Sequence, residues 1–398
     1  MPAGEDLLLP EGSRLIHIGP HKTGTTSLQA ALWNARPAMH SQGVGHIGRS
    51  RNPSNAVRSV VGQPSPYSTD TPPPIRQWND LVSLIRRASE PRIVVSSEFF
   101  SWAEPEAIRR IVDELDPSRI RIAVTLRPLA RILPSMWQQN VQAGRVVPFE
   151  TWLHGVLDRH REKANPGFWM LHRHDELIAR WADVVGVDRM TVVVVDERDH
   201  EFLLRVFEAL LGLTTGTLAL DPDLVNRSLT LPEAEAVRAF NESFDAEGLP
   251  RAVHARTMRF GAAQLMKRRR PGPEEPRVEL PEWAIEPAVA IEREMVDRIV
   301  ASGVRIVGDP QRLLDRPAPP ASEATPDGLP RDVVASMAMG ILVASGATRD
   351  RGMRLGRLQF AEPIEVARVS TLQLASVLVG RSVNAAARRL RPIRRPKG

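Results

Sequence analysis

The stretch Arg14-Leu-Ile-His-Ile-Gly-Pro-His-Lys-Thr-Gly-Thr-Thr-Ser-Leu-Gln29 decides how the rest of the chain is read. Leu15 to Ile18 is a short apolar run of the kind that forms a buried strand, and Gly19-Pro20 ends it. From Thr25 onward the apolar spacing becomes helical, through Leu28, Ala31 and Leu32. A strand, a glycine-containing loop and a helix start, in that order, form an anion site. Successive backbone N–H groups curl into a concavity, and the positive end of the helix dipole faces it. Lys22 adds a full charge, and Thr23, Thr25, Thr26 and Ser27 add hydroxyl donors.

The loop differs from the nucleotide-triphosphatase pattern G-x-x-x-x-G-K-[ST] in one respect. Gly19 and Gly24 keep its spacing, but Thr25 stands where the lysine belongs and the lysine lies inside the loop, at Lys22. Further strands follow in Arg92 to Ser101, Ile120 to Leu126 and the valine-rich run Met190 to Val195, with Val304 to Val307 as a short last one. Ser96, Ser97, Glu98 and Arg127 then fall at strand carboxyl ends, the edge where open α/β sheets bind ligands. Pro128 suits a first helical turn, and Arg127, Arg131 and Ser135 recur at i, i+4 and i+8 along one helical face. Pro134 interrupts that helix's bonding and should bend it. Alternating strands and helices predict an α/β fold: a P-loop-type doubly wound sheet of about four to five parallel strands, helices on both faces, and a small helical C-terminal extension. The expected organisation is one domain over 1–315, a Pro- and Ala-rich linker over 316–330, and a helical region over 331–398.

The displaced lysine in Lys22-Thr-Gly-Thr-Thr26 resembles the 5′-phosphosulfate loop of sulfotransferases that use 3′-phosphoadenosine 5′-phosphosulfate (PAPS). The Arg127 and Ser135 pair is similar to that family's 3′-phosphate motif, an Arg and a Ser eight residues apart on a strand-to-helix element. The family usually has Arg-x-Pro with a second Arg five places on, whereas Pro128 and Arg131 each come one place early. The resemblance implies a PAPS donor held by His21, Lys22, Thr23, Gly24, Thr25, Thr26, Ser27, Arg127 and Ser135, with no metal. It also implies catalytic roles for Lys22, which neutralises the leaving phosphate, and for Glu98, where similar glycan sulfotransferases place a general base. Glu98 is either that base or an ion-pair partner of Arg127 or Lys22, and His21 is the rival base. A carbohydrate or glycolipid acceptor is the corresponding expectation. Asn226-Arg-Ser228 is similar to a segment of bacterial carbohydrate sulfotransferases; the alternative is a helix-cap turn, with Thr230 and Glu233 as a capping box.

The competing function classes are a P-loop kinase, which needs lysine at position 25 and a magnesium carboxylate (Asp196 is the nearest), and a non-catalytic nucleotide-binding protein. Composition narrows the field. The chain has 398 residues and no cysteine, which excludes thiolate metal sites and cysteine nucleophiles. Its net charge of +6 comes from seven cations after residue 380, and without them 46 basic residues face 47 acidic ones. Nucleic acid is therefore not the expected partner, though the tail could touch an anionic surface. No apolar run reaches the roughly 18 residues of a membrane span, and the acidic start is unlike a secretory signal, so a cytoplasmic location is expected. Residues 45 to 74 read as a long loop, either a flap beside the cleft or an insertion. Phe149, Trp152, His160, Phe168, Trp169, His172 and His174 are expected either to line the acceptor side or to pack a helical cap. The basic run 251–270 is either a solvated face or an attractor for an anionic acceptor.

Overall fold

The structure, a computed structural model, describes residues 7–65, 71–158, 165–222, 227–317 and 328–346. Six strands form one parallel sheet: β1 (Arg14–His17), β2 (Val44–His46), β3 (Arg92–Ser96), β4 (Ile120–Leu126), β5 (Met190–Val194) and β6 (Arg305–Val307). Their order is β2-β3-β1-β4-β5-β6. Ile16 lies level with Val95 of β3 on one side and Ile122 of β4 on the other, so β1 is central.

Alternating side chains load both faces of the sheet. Ile16, Ile93, Val95, Ile122, Val124, Val192 and Val194 join one core with the helices Arg76–Arg87, Pro105–Glu114 and His174–Val185. Leu15, Val94, Ala123 and Val193 join the opposite core with the helices Thr25–Asn34 and Phe202–Leu211. A strand buried on both faces has no polar side to show, which is why these segments read as nearly continuous apolar runs. Each fully buried Leu or Ile contributes about 1.5–3 kcal/mol relative to exposure. The doubly wound α/β fold is thus present, with six strands rather than four or five.

The additional strand is β2. It lies within the stretch read as a loop, which also holds the helix Ser54–Val60. With three residues and Gly45 at its centre, β2 carries too little pattern to be read, and its pairing with β3 (Val44 with Arg92, His46 with Val94) defines it.

A third core contains no strand residue. It joins the helices Leu129–Gln142, Phe149–Leu157, Pro166–His172, Leu231–Ala246 and Glu282–Ala301 with the π-helical turn Ala255–Ala262. Trp152, Phe168, Trp169, His172 and His174 are buried in and around it, so they pack the helical cap and do not line the cleft. His160 lies outside the described residues. The helix Leu129–Gln142 runs on through Pro134. The helix Arg331–Ser345 also packs here, on the π-helical turn; Gly340 meets it so closely that a Cβ there would lie 2.5 Å from Ala262 Cα. The compact unit therefore runs to Gly346, past the 315 boundary expected from composition. Most of the expected linker (318–327), Asn226 and the region 347–398 with its basic tail lie outside the described residues. No described helix is long and apolar enough to cross a membrane.

Candidate active site

Chain leaving β1 turns toward β2 and β3, whereas chain leaving β4 turns toward β5. The carboxyl ends of β1 and β4 therefore flank the topological switch point, where a crevice opens. The loop 18–24 fills one wall of it and Arg127 stands on the other.

The loop is fastened from beneath. Ile18 N–H donates to Ala123 O (3.0 Å) and Thr125 N–H donates to Gly19 O (2.9 Å). Thr23, fully buried, donates its hydroxyl to Pro20 O (2.7 Å) and lies 2.7 Å from the Thr125 hydroxyl. Below it, His17 joins Ser96 Oγ (2.8 Å) and Thr125 Oγ1 (3.1 Å), linking β1 to both neighbouring strands. Burial lowers the His17 pKa to about 3, so the ring is neutral. Gly19 combines φ +82° with contact so close that a Cβ would lie 2.9 Å from Glu98 Cα. The loop and the candidate base are thereby packed together.

Above this base the loop is open. Lys22 takes φ +68° and Gly24 φ +89°, so left-handed residues alternate with Thr23 between them, the backbone pattern of an anion-binding nest. The helix that follows, Thr25–Asn34, has no side-chain N-cap and no acidic residue in its first turn. Its first N–H groups have no intrahelical acceptor. The hydroxyls of Thr25, Thr26 and Ser27 have no hydrogen-bond partner among the described residues.

Lys22 is half-buried and has no ion-pair partner among the described residues. Its pKa is lowered to about 8, first by burial and then by the charges of Lys267 and Arg259. The loop, Lys22, His21, Glu98, Arg127, Ser135 and the β5 end line one cleft of about 660 Å³. His21, next to Lys22, packs edge-on against Phe99 at 5.2 Å, and burial lowers its pKa to about 4.

Glu98 begins a short 3₁₀ turn directly after β3. Its carboxylate accepts from Gln29 Nε2 (3.0 Å) and Asn52 Nδ2 (2.8 Å) and forms no ion pair with Arg127 or Lys22 among the described residues. Two neutral amides hold it, and Asn52 comes from the segment read as a long loop, either a flap or an insertion. Arg127 pairs elsewhere. Its guanidinium binds Glu197 through Nε (2.9 Å) and Nη2, and reaches the Lys22 carbonyl at 3.2 Å. Arg131 stands 3.6 Å from the other Glu197 oxygen, so both arginines share one carboxylate. Ser135 faces the cleft with no hydrogen-bond partner among the described residues.

The sequence reading missed Glu197, although it sits at the carboxyl end of β5, the edge that singled out Arg127. Asp196 had drawn attention instead. Asp196 caps Arg198 N–H (3.0 Å) and pairs with Arg312 (2.8 Å). Among the described residues no group of three or more His, Asp or Glu is placed to hold a metal ion. Arg227 pairs with Glu233 at 2.7 Å, and Glu233 forms the capping box with Thr230. The cap alternative therefore accounts for that segment, and Ser228 alone of its described residues reaches the cleft.

No protein-family model matches the sequence, and no curated protein matches it. Among solved structures the chain is similar to a sulfotransferase from Alicyclobacillus acidocaldarius, at 17% identity and a TM-score of 0.39, covering 60% of this chain and 94% of that one.

Proposed function

We propose that this chain is a PAPS-dependent sulfotransferase that moves a sulfuryl group to a hydroxyl of a carbohydrate or glycolipid acceptor. The observation that carries the reading is Lys22, a half-buried cation with no ion-pair partner among the described residues, set in an anion nest at an uncapped helix start in the same cleft as Glu98. A charge kept there at the expense of its own pKa is stabilised when an anion arrives. The loop N–H groups and the hydroxyls of Thr25, Thr26 and Ser27 suit the 5′-side of the donor. The Thr23 hydroxyl is spent inside the loop and serves to fix it.

Across the cleft, Arg127 and Ser135 suit a second phosphate, provided that Arg127 exchanges Glu197 for it. Two separated anion subsites fit a 3′,5′-bisphosphorylated adenosine better than a triphosphate. The donor, when bound, supplies an activated sulfuryl group with a phosphate as its leaving group. Lys22 neutralises charge that develops on the leaving phosphate side. Glu98, aimed by Gln29 and Asn52, takes the proton of the acceptor hydroxyl.

Labelled PAPS incubated with glycan acceptors tests this directly. Adenosine 3′,5′-bisphosphate and a labelled glycan are the expected products. Tight binding of magnesium–ATP with no affinity for PAPS would overturn the proposal in favour of a kinase-like protein.

A further inference from the structure

A second cavity lies behind Phe99, and nothing in the reaction as described uses it. It encloses about 420 Å³ and is lined by Arg58, Arg145, Arg251 and Arg259 together with His254, against a single carboxylate, Asp245. Other arginines of the molecule show closer pairing. Arg227, Arg238 and Arg269 each meet one or more carboxylates within 3.0 Å. Among the described residues Arg58, Arg145 and Arg251 meet none. Like charges held around one cavity destabilise it until an anion enters. Arg58 already carries a lowered pKa of about 10, from burial and from Arg259.

The cavity adjoins the candidate base. The Arg58 guanidinium lies 3.8 Å over the Phe99 ring, and the same ring takes the edge of His21 at 5.2 Å. Phe99 follows Glu98 directly in the chain. The charges of Arg58 and Arg259 both act on His21, and Arg58 feels the charge of Glu98, which places the cavity's arginines near the proton-accepting side of the cleft. Lys22, Arg127 and Ser135 do not line this cavity.

From this geometry we infer that the acceptor is anionic: a saccharide bearing a carboxylate or an existing sulfate, whose anionic group sits among Arg58, Arg145, Arg251 and Arg259 while a neighbouring hydroxyl reaches Glu98. The inference rests on the proposed sulfotransfer and specifies its substrate class. Forked guanidinium groups match planar or tetrahedral oxyanions by paired hydrogen bonds, and a cavity of this size suits a small ligand segment. Phe244 gives the same cavity an apolar wall for the face of a sugar ring.

The test uses the full chain loaded with adenosine 3′,5′-bisphosphate and three tetrasaccharides: one containing glucuronate, its carboxyl-reduced counterpart, and an O-sulfated neutral one. Calorimetry is expected to show binding of at least one anionic form, at least tenfold tighter than the reduced form. Which anionic form wins separates carboxylate from sulfate as the source. The double substitution Arg145→Glu with Arg251→Glu, at two exposed positions, is expected to raise KM for the anionic acceptor at least tenfold. Bisphosphate affinity and kcat should stay within about twofold. Arg145→Gln with Arg251→Gln guards against misfolding and should give a smaller loss in the same direction. Equal binding of the reduced form, or a KM unchanged in both double variants, overturns the inference while leaving sulfotransfer standing. Failure of the wild-type chain to bind the bisphosphate overturns sulfotransfer itself, and the inference with it.

Discussion

Glu197→Gln should tighten the binding of adenosine 3′,5′-bisphosphate. In the free chain Glu197 holds Arg127 at 2.9 Å and stands 3.6 Å from Arg131, the two cations beside the proposed 3′-phosphate subsite. A phosphate entering there meets two obstacles. The first is the existing ion pair, about a third exposed on both partners and hence worth roughly 1 kcal/mol or less. The second is repulsion between the carboxylate and the incoming phosphate. With both on one guanidinium, about 5–6 Å apart, that repulsion is about 0.8 kcal/mol in water and about 3 kcal/mol at an effective dielectric of 20. A half-open cleft lies toward the lower figure. Removing the charge while keeping the shape should therefore gain about 1–2 kcal/mol, or roughly 5–30-fold in Kd. Calorimetric titration with adenosine 3′,5′-bisphosphate measures it, and adenosine 5′-phosphate is the control because it lacks the 3′-phosphate. The control should change by no more than about twofold. Equal tightening of both nucleotides would mean a general field effect, and weakened bisphosphate binding would mean that Glu197 positions Arg127 for the ligand; either result refutes the reasoning.

Other consequences follow from the same cleft. Glu98→Gln should leave bisphosphate affinity within about twofold and lower kcat at least 10²-fold, as loss of a general base does; a fully active variant would remove Glu98 from the mechanism. Lys22 should appear as a basic limb in the pH profile of donor kcat/KM. Its pKa is lowered to about 8, so the charged form prevails below that pH and is lost above it. Lys22→Arg, charged at every accessible pH, should abolish that limb, and a limb that persists belongs to another group. The folded-state pKa of His17, about 3, lies well below its ordinary 6.5, so protonation favours the unfolded chain. Stability is therefore full above pH 6.5 and falls as pH drops toward 3, by up to about 1.4 kcal/mol per unit for this group. Denaturant titrations at pH 7 and pH 5 should show the loss in the wild type and a smaller one in His17→Gln, whereas equal losses would place the acid sensitivity elsewhere.

What the sequence disclosed about this molecule divides by the range of the interactions involved. β1, β3, β4 and β5 announced themselves because burial on both faces demands unbroken apolar runs, and such a run is a local property. β2 did not, because three residues at the sheet edge owe their strand conformation to β3 alone. The strand–loop–helix unit after β1 was legible for the same reason as the strong strands: its glycines, its lysine and its helix start lie within a dozen consecutive residues. His17 shows the limit even there. Within the apolar run it reads as filler, yet it bridges β3 and β4 under the loop through partners 79 and 108 residues away.

The sign of the charge in the cleft is the harder matter. Strand carboxyl ends collect polar residues whatever their charge, because the chain must leave the apolar sheet at that point. The same rule that placed Arg127 on the edge delivers Glu98 and Glu197 to it. Which carboxylate neutralises a cation and which remains available for chemistry is then decided by pairings 46 to 70 residues apart in sequence. Glu197 reaches Arg127; among the described residues, the amides of Gln29 and Asn52 are what reach the Glu98 carboxylate. A carboxylate held by neutral donors carries its charge into the cleft unneutralised, while one bound to a guanidinium is neutralised by it. Had the two carboxylates exchanged partners, the same sequence motifs would describe a cleft with Glu98 tied to Arg127 and Glu197 left to the neutral amides.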